Sequence, residues 1–171
     1  CAADMKWSKV LTNLPANASA AILNMTAAEV FAHPGLFRLE MHMLREALAV
    51  MRGNRIRLVD LPRVPVRALG LGTRLPEFAA RPLMQKAIGG GRGSKMPSFH
   101  IDLHSGRGKS EVDYLHGAVV RAGEKTGVPT PVNKVLTETL LALTNKEIPL
   151  EMFAGKPEKL LSQITVNLLL R

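Results

Sequence analysis

Apolar residues recur in this chain every three or four positions, and no convincing run alternates. Leu36, Leu39, Met43, Ala47 and Val50 form one such stripe. Val132, Leu136, Leu140 and Leu143 form a second, and Leu160, Leu161, Ile164 and Leu168 a third. That spacing places each set on one face of an α-helix, whereas a half-buried strand needs every second residue. The chain must therefore bury its stripes helix against helix. Aromatic residues are only 4% of the 171, so the core is built from Leu, Ala, Val and Met, residues that suit helix packing. Only Arg55 to Val59 could pair briefly as a strand.

Caps and breakers divide the helices. The first is expected from about Met5 to Met25, kinked or broken at Pro15, which lacks an N–H and clashes with the preceding turn. Thr26-Ala-Ala-Glu29 reads as a capping box opening a short helix. Pro34 begins a helix ending at Gly53, with Arg38, His42, Arg45 and Arg52 on its outer side. Arg55 to Leu75, punctuated by Pro62 and Pro65, reads as a long surface connection. A helix is expected from Pro76 to Ile88, interrupted or restarted at Pro82, then a flexible glycine loop over Gly89 to Lys95. A short helix follows Pro97. Ser110 caps a helix from Glu111 to Thr126, closed by Gly127. Helices then open at Thr130-Pro131 and at Pro157, the last running to Leu170. The expectation is one all-α domain over residues 1–171.

The single cysteine, Cys1, excludes a disulfide within the chain and fits a reducing, cytoplasmic setting. No apolar run of about 18 residues exists to cross a membrane. The start lacks both an apolar signal core and a methionine, so it reads as the middle of a longer protein. The net charge is +9, and residues 52–95 hold ten basic side chains against Asp60 and Glu77. Such a balance suits anionic partners in general. Nucleic acid would need a recognition-helix motif or aromatic stacking platforms, and the sequence offers neither.

Two polar constellations could carry chemistry. Lys9, Asn13 and Asn17 stand at i, i+4 and i+8, which an unbroken helix would place on one face, drifting about 40° per step. An ammonium beside two amides can be aimed at a carbonyl oxygen, although a solvated helix face reads the same way. The second runs from Pro97-Ser98-Phe-His-Ile-Asp102 to Gly106-Arg107 and Glu111-Val-Asp113. There Glu111 falls where a helix N-terminus favours negative charge. The glycine loop has neither the G-x-x-x-x-G-K-[ST] nor the G-x-G-x-x-G pattern and reads as a hinge rather than a phosphate cradle. His100 and His104 are four apart but lack a third ligand set by sequence, so no metal site is expected.

Taken together the two constellations resemble the C-terminal domain of the ketopantoate reductase (2-dehydropantoate 2-reductase) family. The resemblance runs from Trp7-Ser-Lys9-Val-Leu-Thr-Asn13-Leu-Pro-Ala-Asn17 through Glu46-Ala-Leu-Ala to Pro97-Ser98, Glu111-Val-Asp113 and Gly127-Val-Pro129-Thr-Pro131-Val-Asn133. It departs at Phe99-His100-Ile101 and in a Ser98–Glu111 stretch one residue longer than usual.

The resemblance implies a helical domain of the 6-phosphogluconate dehydrogenase type. A Rossmann domain, expected to lie outside this chain, would hold most of the NADPH. It implies reduction of a 2-keto acid, 2-dehydropantoate first among them. Lys9 would be the general acid, and Asn13 and Asn17 would orient it and the substrate oxygens. Ser98 would meet the substrate carboxylate, and Glu111 would face Lys9, the substrate hydroxyl or the cofactor. The chain alone is then expected to fold but not to catalyse, and a surface bared of its partner domain could pair with itself as a homodimer. A basic helical binding or dimerisation module without activity is the competing reading.

Overall fold

Pro15 divides the N-terminal helical stretch in two. Helix α1 spans Ala2–Asn13 and α2 spans Asn17–Leu23, and between them Ala16 adopts a left-handed backbone with φ +55°. The structure, a computed structural model, describes residues 1–86, 96–105, 108 and 110–169. The Gly89–Lys95 loop, Ile88, Gly106-Arg107 and Leu170 lie outside the described residues.

Every described regular element is helical. After α2 come α3 (Ala27–Ala32), α4 (Pro34–Gly53), α5 (Val66–Gly72) and α6 (Glu77–Met84). Then follow α7 (Ser98–His104), α8 (Val112–Thr126), α9 (Pro131–Thr144) and α10 (Pro157–Leu169). The expected all-α class is met, and most boundaries fall where caps and breakers placed them. Thr26 and Glu29 form the reciprocal capping box of α3. Ser110 Oγ accepts from Val112 N at 3.2 Å. Glu111 therefore takes the N-cap position rather than the first helical one. Gly127 closes α8 with φ +68°, a conformation open to glycine at no steric cost.

Two expectations fail around α5. The connection after Arg55 contains a helix, Val66–Gly72, that Pro65 and two glycines concealed. Arg55 to Val59 is not a strand. Instead α1 satisfies its backbone through side chains, Asp4 Oδ1 accepting from Arg57 N at 3.0 Å and Ser8 Oγ from Val59 N at 3.0 Å. The Arg57 N–H, with smaller help from charge, holds the Asp4 carboxyl below its usual range. Pro82 does not end α6, which continues to Met84.

Helix α4 is the spine. It packs on α1, α3, α8, α9 and α10, and its stripe of Leu36, Leu39, Met43, Ala47 and Val50 is buried as expected. Glu46 caps α9 from the side, accepting from Val132 N at 2.8 Å and Asn133 N at 2.9 Å. A carboxylate there meets both the orphan donors and the positive end of the helix dipole. Helices α8 and α9 pack against each other, and α2 lies against α7 and α9.

His116 on α8 is fully buried. Asn133 spends its amide hydrogens on the Met43 carbonyl and Glu46. Its Oδ1 is thus the acceptor for His116 Nδ1, 3.0 Å away. The ring is neutral with its proton on Nδ1, and Nε2 has no partner among the described residues. Burial pushes its pKa down to about 4. Because the folded value lies below the unfolded one, the unfolded chain binds more protons in between, and stability is lost as pH falls from about 6.5 toward 4. The loss should reach about 3 kcal/mol. Denaturant unfolding across that window should show a flatter pH slope for His116→Gln, and an unchanged slope would refute the assignment.

Candidate functional site

The break at Pro15 decides where Asn17 points. Lys9 and Asn13 stand one turn apart on α1 and share a face. Asn17, however, begins a new helix, so the single-face argument for all three fails at the left-handed Ala16. The link survives by another route, since Asn17 Nδ2 donates to the Asn13 carbonyl at 3.2 Å.

The same side chain reaches across 81 residues. Asn17 Nδ2 lies 3.3 Å from Ser98 Oγ, and Asn17 Oδ1 accepts from Phe99 N at 3.1 Å. Asn17 is thus the cap of α7, the helix whose Pro97 offers no capping side chain of its own. The two motifs, distant in sequence, meet at this pair. Asn17 is only 6% exposed while Ser98 is open to solvent, so the hydroxyl stands on a fixed base at the surface.

Lys9 is exposed on α1, and its ammonium has no hydrogen-bond or ion-pair partner among the described residues. Its ammonium is free to turn to a ligand. Glu111 is exposed at the start of α8. No described contact joins its side chain to Lys9, Asn17 or Ser98. His100 and His104 stack with ring centroids 4.1 Å apart, and His100 Nε2 lies 2.7 Å from Asn24 Oδ1. Burial and the neighbouring ring hold His100 below its usual pKa. No cluster of three metal-ligating residues occurs among the described residues.

Sequence reasoning passed over Glu40. It lies on the buried face of α4, where an isolated acid is costly unless bonded. Its Oε2 accepts from Ala16 N at 2.8 Å, and its Oε1 lies 2.5 Å from Ser19 Oγ. Glu40 therefore holds the left-handed turn that presents Asn17. Desolvation raises its pKa to about 7, against the lowering effect of both bonds. The only signal in the sequence was an acid falling within an apolar run, Leu39-Glu40-Met41.

The folded pKa of Glu40 exceeds the unfolded one, so its contribution to stability is full below about 4.5 and lost as pH rises to about 7. Glu40→Ala leaves a buried N–H without an acceptor and opens a cavity, a loss of about 2–4 kcal/mol. Glu40→Gln keeps an oxygen for Ala16 N and cannot titrate. Denaturant titrations at pH 5 and pH 8 should find the Gln protein much the more stable of the two, with a shallower fall between those values than the parent. Equal losses for Ala and Gln would show that the turn does not depend on this oxygen.

Residues 2–144 match the family described as ketopantoate reductase PanE/ApbA C terminal. A 2-dehydropantoate 2-reductase of Pyrobaculum aerophilum is 27% identical over 137 residues, covering 80% of this chain and 42% of that protein. A PanE/ApbA family ketopantoate reductase from Ralstonia eutropha JMP134 superposes with a TM-score of 0.64 at 25% identity, over 82% of this chain and 41% of that one. A D-mandelate dehydrogenase, solved with NADH and anilino(oxo)acetate, superposes with a TM-score of 0.61 at 25% identity, over 82% and 67%. The chain thus spans about two fifths of the length of the curated relative it matches.

Proposed function

The chain belongs to the ketopantoate reductase PanE/ApbA family through its C-terminal module, and from that premise we propose that it is the substrate-binding and proton-donating part of a nicotinamide-dependent 2-keto acid reductase. 2-Dehydropantoate is the substrate proposed first and NADPH the cofactor. The observation that carries the reading is the Asn17–Ser98 pair, 3.3 Å apart and held beside the turn that follows the Lys9 helix.

A bound reduced nicotinamide supplies the hydride in this chemistry. This chain's residues do the rest. As the carbonyl carbon gains hydride, negative charge builds on its oxygen, and an exposed ammonium at Lys9 can stabilise that charge and then give up a proton from Nζ. Asn13 orients Lys9 from one turn away. Asn17 has its oxygen on Phe99 N and its two amide hydrogens on the Asn13 carbonyl and Ser98 Oγ, so it orients a substrate oxygen either through the Ser98 hydroxyl that it holds or by exchanging its bond to Ser98 for one to that oxygen. The Ser98 hydroxyl is a donor for the substrate carboxylate. Glu111, at the N-terminal end of α8, is proposed to face the substrate hydroxyl or the cofactor side. The D-mandelate dehydrogenase of similar fold was solved with NADH and anilino(oxo)acetate, which supports the same chemical class for this site.

The complete protein should oxidise NADPH in the presence of a 2-keto acid, with ketopantoate the first of a panel. Lys9→Ala should lower turnover by about 10²–10⁴-fold while NADPH affinity, read by fluorescence titration, stays within a few-fold. Ser98→Ala should act mainly on KM for the keto acid. The 171-residue chain on its own should bind no NADPH tightly, because hydride transfer needs the dinucleotide held at near-attack distance by a glycine turn and helix N-terminus. Wild-type turnover in Lys9→Ala would defeat the proton-donor role, and reduction by the isolated chain would defeat the division of labour.

A further inference from the structure

The basic segment noted in the sequence converges on one place. A cavity of about 750 Å³ opens between the second half of α4, residues 56–58, and α5 with the turn that follows it. Arg45, Arg52, Arg67 and Arg74 line it, and no carboxylate does. Its floor is apolar, formed by Leu48, Met51, Ile56 and Leu58, with Met51 only 2% exposed. None of Lys9, Asn13, Asn17, Ser98 and Glu111 contributes to it.

Close contacts define the walls of this cavity. Gly70 lets α5 lie close to the 56–58 segment, since a Cβ there would come within 2.6 Å of Leu58 Cδ2. Arg45 Nε donates to the Thr73 carbonyl at 2.9 Å, tying α4 to the end of α5. Arg67 is anchored by Asp60, 3.8 Å from its Nε. The guanidinium groups of Arg52 and Arg74 have no hydrogen-bond or ion-pair partner among the described residues. Arg52, in the last turn of α4, complements that helix dipole, but the dipole accounts for one charge of four. Four guanidinium groups stand around one apolar floor, and with only Arg67 partly offset by Asp60 they raise the local positive potential. The volume falls within the range of small-molecule sites.

We propose that this arginine-rimmed cavity is a second binding site, for a small anion that carries a short apolar body, its phosphate or carboxylate held by Arg52 and Arg74 and its hydrocarbon laid on Leu48, Met51 and Leu58. Planar guanidinium groups bind either anion through paired N–H bonds. The apolar floor separates this ligand from a bare inorganic ion, and the arginines separate it from a neutral hydrophobe. The site is distinct from the one that carries the proposed reductase chemistry and does not depend on that reading.

Calorimetric titration of the complete protein with hexyl phosphate, hexanoate, inorganic phosphate and hexanol tests the proposal. Hexyl phosphate or hexanoate should bind about tenfold or more tightly than either inorganic phosphate or hexanol, and the stronger of the two identifies the preferred head group. The Arg52→Ala/Arg74→Ala double variant should weaken that binding about tenfold or more, with an unchanged circular dichroism spectrum and melting temperature. Lys9→Ala should leave it unaltered. Inorganic phosphate binding as well as hexyl phosphate, hexanol binding as well as either anion, no binding at all, or binding that survives the double variant or is lost in Lys9→Ala, would each overturn it.

Discussion

The N–H of Ala16 turns into the core at a residue with a left-handed backbone, and the Glu40 carboxyl group receives it. A non-glycine residue in that conformation is strained by roughly 1–2 kcal/mol and persists where its surroundings overdetermine it. Here the surroundings are a buried acid on α4, bonded at its other oxygen to Ser19. The turn sets the start of α2, and the start of α2 sets the direction of Asn17. Asn17 in turn caps α7 through Phe99 N and touches Ser98. A chemical group near the surface therefore takes its position from a carboxyl that never reaches solvent.

A second line runs from the same helix to the same place. Glu46, less than two turns along α4 from Glu40, caps α9 and bonds the Asn133 side chain. Asn133 holds His116, and the His116 ring lies 6.3 Å from that of Phe99. Both lines end at the first turn of α7. Two acids inside one amphipathic helix would be an expensive arrangement if either lacked donors. Glu40 receives one backbone N–H and a serine hydroxyl, and Glu46 two backbone N–H groups, so what is a liability in the sequence becomes a pair of struts in the fold.

The positive charge divides by structure rather than by sequence. Arg57 and Arg67 are partly neutralised by Asp4 and Asp60. Arg45, Arg52 and Arg74 gather with Arg67 around an apolar cavity that requires α5, and α5 exists because Val66 and Leu69 bury against the core despite the adjoining proline and glycines. Tertiary burial overrides local propensity there.

Helical periodicity, caps and breakers determined the class and most of the elements, because they act within one or two turns and need no partner. Thr26 with Glu29, Pro34, Gly127 and Pro131 did their work locally and stand where they were read. The motifs around Lys9 and Ser98 likewise made the family legible, since a string of residue types survives without coordinates. Whether Asn17 meets Ser98 was not a local matter. The helical-face argument that would have aligned Lys9, Asn13 and Asn17 assumed a continuous helix, and the contact arises instead from a break at Pro15 and a bond from α4, elements 24 residues apart in the chain. Glu40, the α5 helix and the arginine-lined cavity were invisible for the same reason. Burial, left-handed strain and the convergence of charges are properties of positions in space, and only the packed structure assigns them.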